Sequence, residues 1–171
     1  MNSAVLVRRN ARRVARLRAA SRDLTPGLRT IVVTCADHRV DPAHVLGLRA
    51  GEAIVLRNPG GRVTADVLRS LLVLSTVATL ERIDGGFEIV VMHHTDCGLS
   101  RLTGSEHAAL VAEYAGVAVD DVPQLAIADP WRAVIHDTRL LSKFVAAPDT
   151  SISALVYDLA TGRVERLNSA S

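Results

Sequence analysis

Cys35 and Cys97 are the only cysteines of this 171-residue chain, and each follows an apolar run, Thr30-Ile31-Val32-Val33-Thr34 before the first and Ile89-Val90-Val91-Met92 before the second. Polar residues come next: Cys35-Ala36-Asp37-His38-Arg39 in one segment, His94-Thr95-Asp96-Cys97-Gly98 in the other. Two thiolates and an imidazole suit tetrahedral Zn2+ and leave a fourth position for water or a carboxylate. There is no CxxC or HxxxH clip, and 59 positions separate Cys35 from His94. Such a site is assembled across the fold, the habit of catalytic rather than locally structural zinc. An open position lets the metal bring the pKa of water to about 7. Two thiolates blunt that effect by neutralising the ion, so a neighbouring device should compensate.

Asp37 and Arg39 are suited to that task. They alternate with Cys35, so all three can face one side of an extended segment. Asp37 can accept a hydrogen bond from a metal-bound water, and Arg39 can grip Asp37 in a bidentate pair that keeps the carboxylate off the metal. If the grip failed, Asp37 could become the fourth ligand. The plainer alternatives are a surface ion pair of little worth and a Cys35–Cys97 disulfide. His93, next to His94 in a strand, points to the opposite face and reads as a core histidine. His38, His44, His107 and His136 are surface histidines by default. Asn58 with Gly60-Gly61 either lines the site by close backbone approach or forms an ordinary tight turn.

The elements that must position these groups alternate. Strands are expected at 29–34, 52–57, 87–92 and 152–157, with a short terminal strand at 164–167 after the Thr161-Gly162 turn. The first lacks polar alternation, as a strand buried on both faces should. Asp41-Pro42 opens a short helix that stops at Gly51, Thr64 caps a long one ending near Ile83 before Gly85-Gly86, and Asp129-Pro130 opens a third. The pattern predicts an α/β fold, a mostly parallel β-sheet of four strands plus a short terminal strand, flanked by helices. Both cysteine segments stand at carboxyl ends of strands, where such sheets gather ligands.

At 49% hydrophobic residues the chain can bury a core as one domain. No apolar run approaches the ~18–20 residues of a membrane span, no signal-peptide core is seen, and a cytoplasmic location is expected. Charge is uneven: residues 1–29 carry net +7, leaving −5 for the rest of a chain whose total is +2. Val7, Ala11, Val14 and Leu17 form a thin apolar stripe among the arginines. Residues 1–28 therefore read as a basic helical arm that docks on a partner subunit, ahead of a zinc-binding α/β catalytic domain over 29–171. No aromatic residue is interleaved for base stacking, which argues against nucleic acid.

Cys-x-Asp-x-Arg after a first strand and His-x-x-Cys-Gly after a third resemble the signature of the β-class carbonic anhydrases. Arg57-Asn58-Pro59-Gly60-Gly61 resembles that family's Arg-Asn-Ala-Gly-Gly stretch. Arg69-Ser70-Leu71, His93-His94-Thr95-Asp96-Cys97-Gly98 and Val156-Tyr157-Asp158 with Thr161-Gly162 look like its short bacterial, mycobacterial-type branch. The resemblance runs from about Thr30 to Leu167. It implies zinc on Cys35, His94 and Cys97, Asp37 and Arg39 as the catalytic dyad, and a pocket that includes Asn58, Gly60, Gly61 and Gly98. It also implies carbon dioxide hydrated to bicarbonate and a proton by zinc-bound hydroxide, in a homodimer or tetramer with pockets at the dimer interface. Leu99-Ser100-Arg101-Leu102 stands where the branch has Met and an aromatic, so an aliphatic wall is expected. The alternative activities are hydrolysis of carbon disulfide or carbonyl sulfide on the same fold, and a non-catalytic zinc-stabilised interaction or nucleic-acid-binding protein.

Overall fold

The computed structural model describes residues 2–14, 23–145 and 149–167. Five strands form one sheet in the order β2-β1-β3-β4-β5: β1 (Thr30–Cys35), β2 (Ala53–Asn58), β3 (Glu88–His94), β4 (Ser151–Asp158) and β5 (Arg163–Leu167). The first four are parallel and β5 is antiparallel to β4. The apolar runs of β1 and β3 are buried almost throughout, as the absence of alternation predicts. Val33 and Val91 lie at the centre of the core with Val134 and Leu141 of α5 (Pro130–Phe144) and Val67 and Leu71 of α3 (Ala65–Leu80).

Expected and observed boundaries differ at several element ends. β1 and β3 run on through Cys35 and His94, so these two ligand candidates are strand residues, not loop residues. The first short helix, α2 (Pro42–Val45), has the expected Asp41 cap with Oδ1 accepting from the Ala43 amide, but it ends at Leu46 and not at Gly51. The long helix stops at Leu80 because Arg82, at φ +53°, takes the left-handed position. The Ile83 amide then bonds to Ala78 O and the Arg82 amide to Thr79 O, a Schellman stop that does not wait for Gly85-Gly86. Thr64 is the N-cap residue of α3, yet its hydroxyl accepts from Asn58 Nδ2 at 3.3 Å and does not cap the helix.

Between β3 and α5 the weakly patterned stretch folds into short 3-10 turns and α4 (Ala108–Ala115). Part of the basic arm is helical, α1 (Asn2–Arg13), with no buried residue. Val7 and Val14 of its stripe are exposed, and Leu17 lies outside the described residues. No helix among the described residues is long and apolar enough to cross a membrane.

Candidate metal centre

The chain winds from β1 to β2 on one side of the sheet and then returns to β3 on the other, so β1 and β3 flank the switch point. Cys35 ends β1, His94 ends β3, and Cys97 follows after a two-residue step in which Asp96 adopts φ +51°. The candidate ligand atoms of Cys35, His94 and Cys97 all lie within 4.8 Å of one another. Cys35 and His94 are buried. The two sulfurs stand 3.8 Å apart, and both cysteines are free. A disulfide needs about 2.05 Å, so that alternative does not describe this structure.

The ring of His94 is oriented for a metal. Its Nδ1 lies 2.8 Å from Thr95 O, which makes Nδ1 the protonated nitrogen and leaves a lone pair on Nε2. Nε2 is buried and has no hydrogen-bond partner. An unpartnered buried imidazole nitrogen beside two thiols is the donor set zinc takes, and the residues fit it. Cys35 Sγ also accepts the Gly60 amide at 3.2 Å and the Asp37 amide at 3.4 Å. The Cys97 thiol, those amides and His94 lower the Cys35 pKa against its burial; the same thiol pairing, with burial, raises that of Cys97. The two main-chain amides that point at Cys35 Sγ favour its thiolate form.

Gly60 and Gly61, both at positive φ, make this approach possible. A Cβ on Gly61 would lie 2.8 Å from the Cys35 amide nitrogen, and one on Gly60 would lie 2.6 Å from Leu99 Cδ2. Both glycines form the tight turn, and Gly60 also lines the small cavity beside His94 and Cys97, whose lining residues do not include Gly61. Asn58 Nδ2 donates to Arg62 O at 2.8 Å, closing the turn, while its Oδ1 is buried without a partner. Gly98 is exposed and opens a 3-10 turn (Gly98–Leu102) with open space around its Cα. A small cavity of about 10 Å3 abuts His94 and Cys97, walled by Leu99, Ile127, Pro130 and Ala133. Gly60, Arg62 and His93 complete the lining, so the wall combines aliphatic with polar groups and contains no aromatic ring other than the imidazoles.

Asp37 and Arg39 pair as their spacing suggests. Arg39 Nε donates to both carboxylate oxygens, at 3.0 and 3.2 Å, and Nη2 donates to Oδ2 at 2.7 Å. These bonds hold the Asp37 carboxyl well below the usual carboxylate range. His38, almost wholly exposed, has Nδ1 3.7 Å from Asp37 Oδ1. His44 is exposed; His107 and His136 are half-buried.

Four residues around the site had no role in the sequence reading. Arg57 donates to the carbonyls of Cys35, Asp37 and Val40 at 2.9, 2.6 and 3.1 Å, fixing the loop that carries the dyad. Asp96 takes Arg39 Nη1 at 3.0 Å. Behind the glycine turn, buried Arg62 donates to Asp137 Oδ1 at 2.8 Å and to Leu125 O at 2.9 Å, and Asp137 Oδ2 accepts the Val63 amide at 3.0 Å. His93 is buried on the opposite face from His94, its Nε2 3.3 Å from Asp137 Oδ2 though not aligned as a hydrogen bond. Burial raises the Asp137 pKa, but His136, His93 and the Arg62 charge outweigh it and hold the carboxyl below its usual range.

Comparison with known proteins agrees with this geometry. Residues 30–114 match the family model described as carbonic anhydrase. Beta-carbonic anhydrase 1 of Mycobacterium tuberculosis is 33% identical over 146 residues, 84% of this chain and 85% of that protein. The chain is a β-class carbonic anhydrase family member. Within this β-class scaffold, the carbonic anhydrase structure from Streptococcus mutans superposes with a TM-score of 0.70 at 32% identity, covering 98% of each chain. A carbon disulfide hydrolase of Saccharolobus solfataricus is 42% identical over a shorter stretch of 77 residues, 45% of this chain and 35% of that protein.

Proposed function

We propose that this protein is a zinc enzyme that interconverts carbon dioxide and bicarbonate. The observation that carries the reading is Asp37, pinned by Arg39 as an ionised acceptor beside the clustered Cys35, His94 and Cys97 donors. When bound there by those three side chains, zinc supplies a Lewis acid that makes water nucleophilic at neutral pH. Asp37, ionised at neutral pH, can only accept a hydrogen bond, so it is placed to orient a water proton and with it the lone pair directed at the substrate carbon. Arg39 fixes the carboxylate in one plane. The Gly60 amide draws charge from the Cys35 thiolate and offsets part of the damping that two thiolates impose. Leu99 and Ile127 supply an apolar side to the small cavity beside His94 and Cys97.

The test is stopped-flow hydration of carbon dioxide at alkaline pH on protein of measured zinc content. Fast hydration that disappears in Asp37→Asn is expected; zinc-loaded protein without hydration overturns the reading. The carbon disulfide hydrolase relative supports a second reading on the same ligands, checked by sulfide release from carbon disulfide with the same preparation.

The arm is read as an element of a homodimer. At the end of the sheet opposite the site, a groove of about 660 Å3 is lined by Leu24, Leu72, Val77, Phe87 and Phe144, while α1 leaves Leu6 and Val7 exposed. A partner's arm seated on such apolar surface would cover both. Light scattering of the whole chain against one lacking residues 1–28 tests this, with the shortened chain expected to be monomeric.

A further inference from the structure

Arg39 has two anionic partners, and they belong to different loops. One edge of its guanidinium holds Asp37, on the loop after Cys35; the other reaches Asp96, between His94 and Cys97, through Nη1 to Oδ2 at 3.0 Å and Nη2 to the main-chain oxygen at 2.9 Å. Asp96 is itself held: its Oδ1 accepts Arg101 Nη2 at 2.7 Å, from the turn that follows Cys97. Without the Asp96 carboxylate, the single bond from Arg39 Nη2 to the main-chain oxygen would be all that ties the arginine to the second loop. With it, two bonds join the pair to the segment that carries His94 and Cys97.

We propose that Asp96 is a positioning residue that clasps Arg39 and so keeps Asp37 beside the metal position and out of it. The inference rests on the zinc reading given above. Its contribution is geometric: the Asp96 side chain is 52% exposed and that of Arg39 39%, and exposed ion pairs add little stability. The backbone narrows what can stand there, because at φ +51° a short polar residue or glycine is favoured. Asp96→Gly therefore removes the carboxylate without adding backbone strain, and Asp96→Asn keeps the shape while discarding the charge.

The experiment uses cobalt-substituted protein of matched metal content, its visible spectrum titrated with azide, alongside carbon dioxide hydration by the zinc form. Wild-type protein is expected to change colour with azide, reporting an open position. In Asp96→Gly the azide affinity and kcat should both fall about tenfold, the scale of losing a group that orients a metal site, with Asp96→Asn between. Adding Asp37→Asn to Asp96→Gly should restore azide binding without restoring hydration, because the amide is a poor ligand. Unchanged azide affinity and rate in Asp96→Gly would overturn the proposal. Failure of the double variant to recover azide binding would also overturn it, since the damage would then not run through Asp37. No azide response in wild-type protein would overturn the open-site reading itself and this proposal with it.

Discussion

Two arginine–aspartate pairs stand within one short stretch of the metal centre and serve it in opposite ways. Arg39–Asp37 is at the mouth, with the arginine side chain partly open to solvent; Arg62–Asp137 is behind the glycine turn, with side chains 7% and 2% exposed. The outer carboxylate is spaced two residues from its partner, the inner one seventy-five. In the outer pair the arginine immobilises the carboxylate proposed to orient the attacking water. In the inner pair the carboxylate immobilises a turn, because Asp137 binds the Arg62 side chain and the Val63 amide together. The same chemistry thus separates into reactivity at the surface and architecture in the interior, and burial decides which.

The strongest way to break the comparison is Asp137→Ala. It strands the Arg62 charge in the interior and should cost about 3–5 kcal/mol of stability, read by urea unfolding; a loss under 1 kcal/mol would remove the architectural role. Replacing both partners, Arg62→Met with Asp137→Leu, should recover most of that loss. Next, Asp37→Asn should lower carbon dioxide hydration on the order of 100-fold while shifting stability by no more than about 1 kcal/mol. The two variants therefore exchange the quantities they damage. Gly61→Ala should cost about 1–3 kcal/mol for the left-handed backbone and weaken metal binding in a chelator competition, since its Cβ would press on the main chain of Cys35 and Thr34.

The smallest effect near neutrality is that of acid. Both carboxyls are depressed in the folded state, so each contributes stability that is complete above the unfolded value near 3.9 and is lost as pH falls through the folded one. Unfolding free energy should be flat for these groups from pH 7 to about 5 and decline below about pH 4. In Asp137→Asn the acid decline should be shallower than in Asp37→Asn if the inner pair dominates stability.

The contrast also explains what the sequence could reveal. Cys35, Asp37, Arg39, His94 and Cys97 were legible because short spacing links the residues within each motif and both motifs end strands of one parallel sheet, which here are neighbours. His93 was legible from the two-residue period of a strand. Asp137 was not: it is the one acid on α5, and nothing in its helical neighbours announces a partner on a turn seventy-five residues earlier. Arg57 and Asp96 sat inside quoted motifs, but their work is done through main-chain carbonyls and a second loop, which spacing does not encode. The stop of α3 at Arg82 was missed because the left-handed residue there is not glycine.

One feature of the sheet has a bearing on how the centre is assembled. β1 and β3 are direct neighbours in parallel register from Thr30 opposite Glu88 to Thr34 opposite Met92. Main-chain pairing therefore closes the long excursion between Cys35 and His94 and bears its loop entropy. An ion arriving afterwards has only local side chains to order. Main-chain pairing thus separates the cost of ordering the chain from the smaller cost of ordering the side chains that would meet an ion.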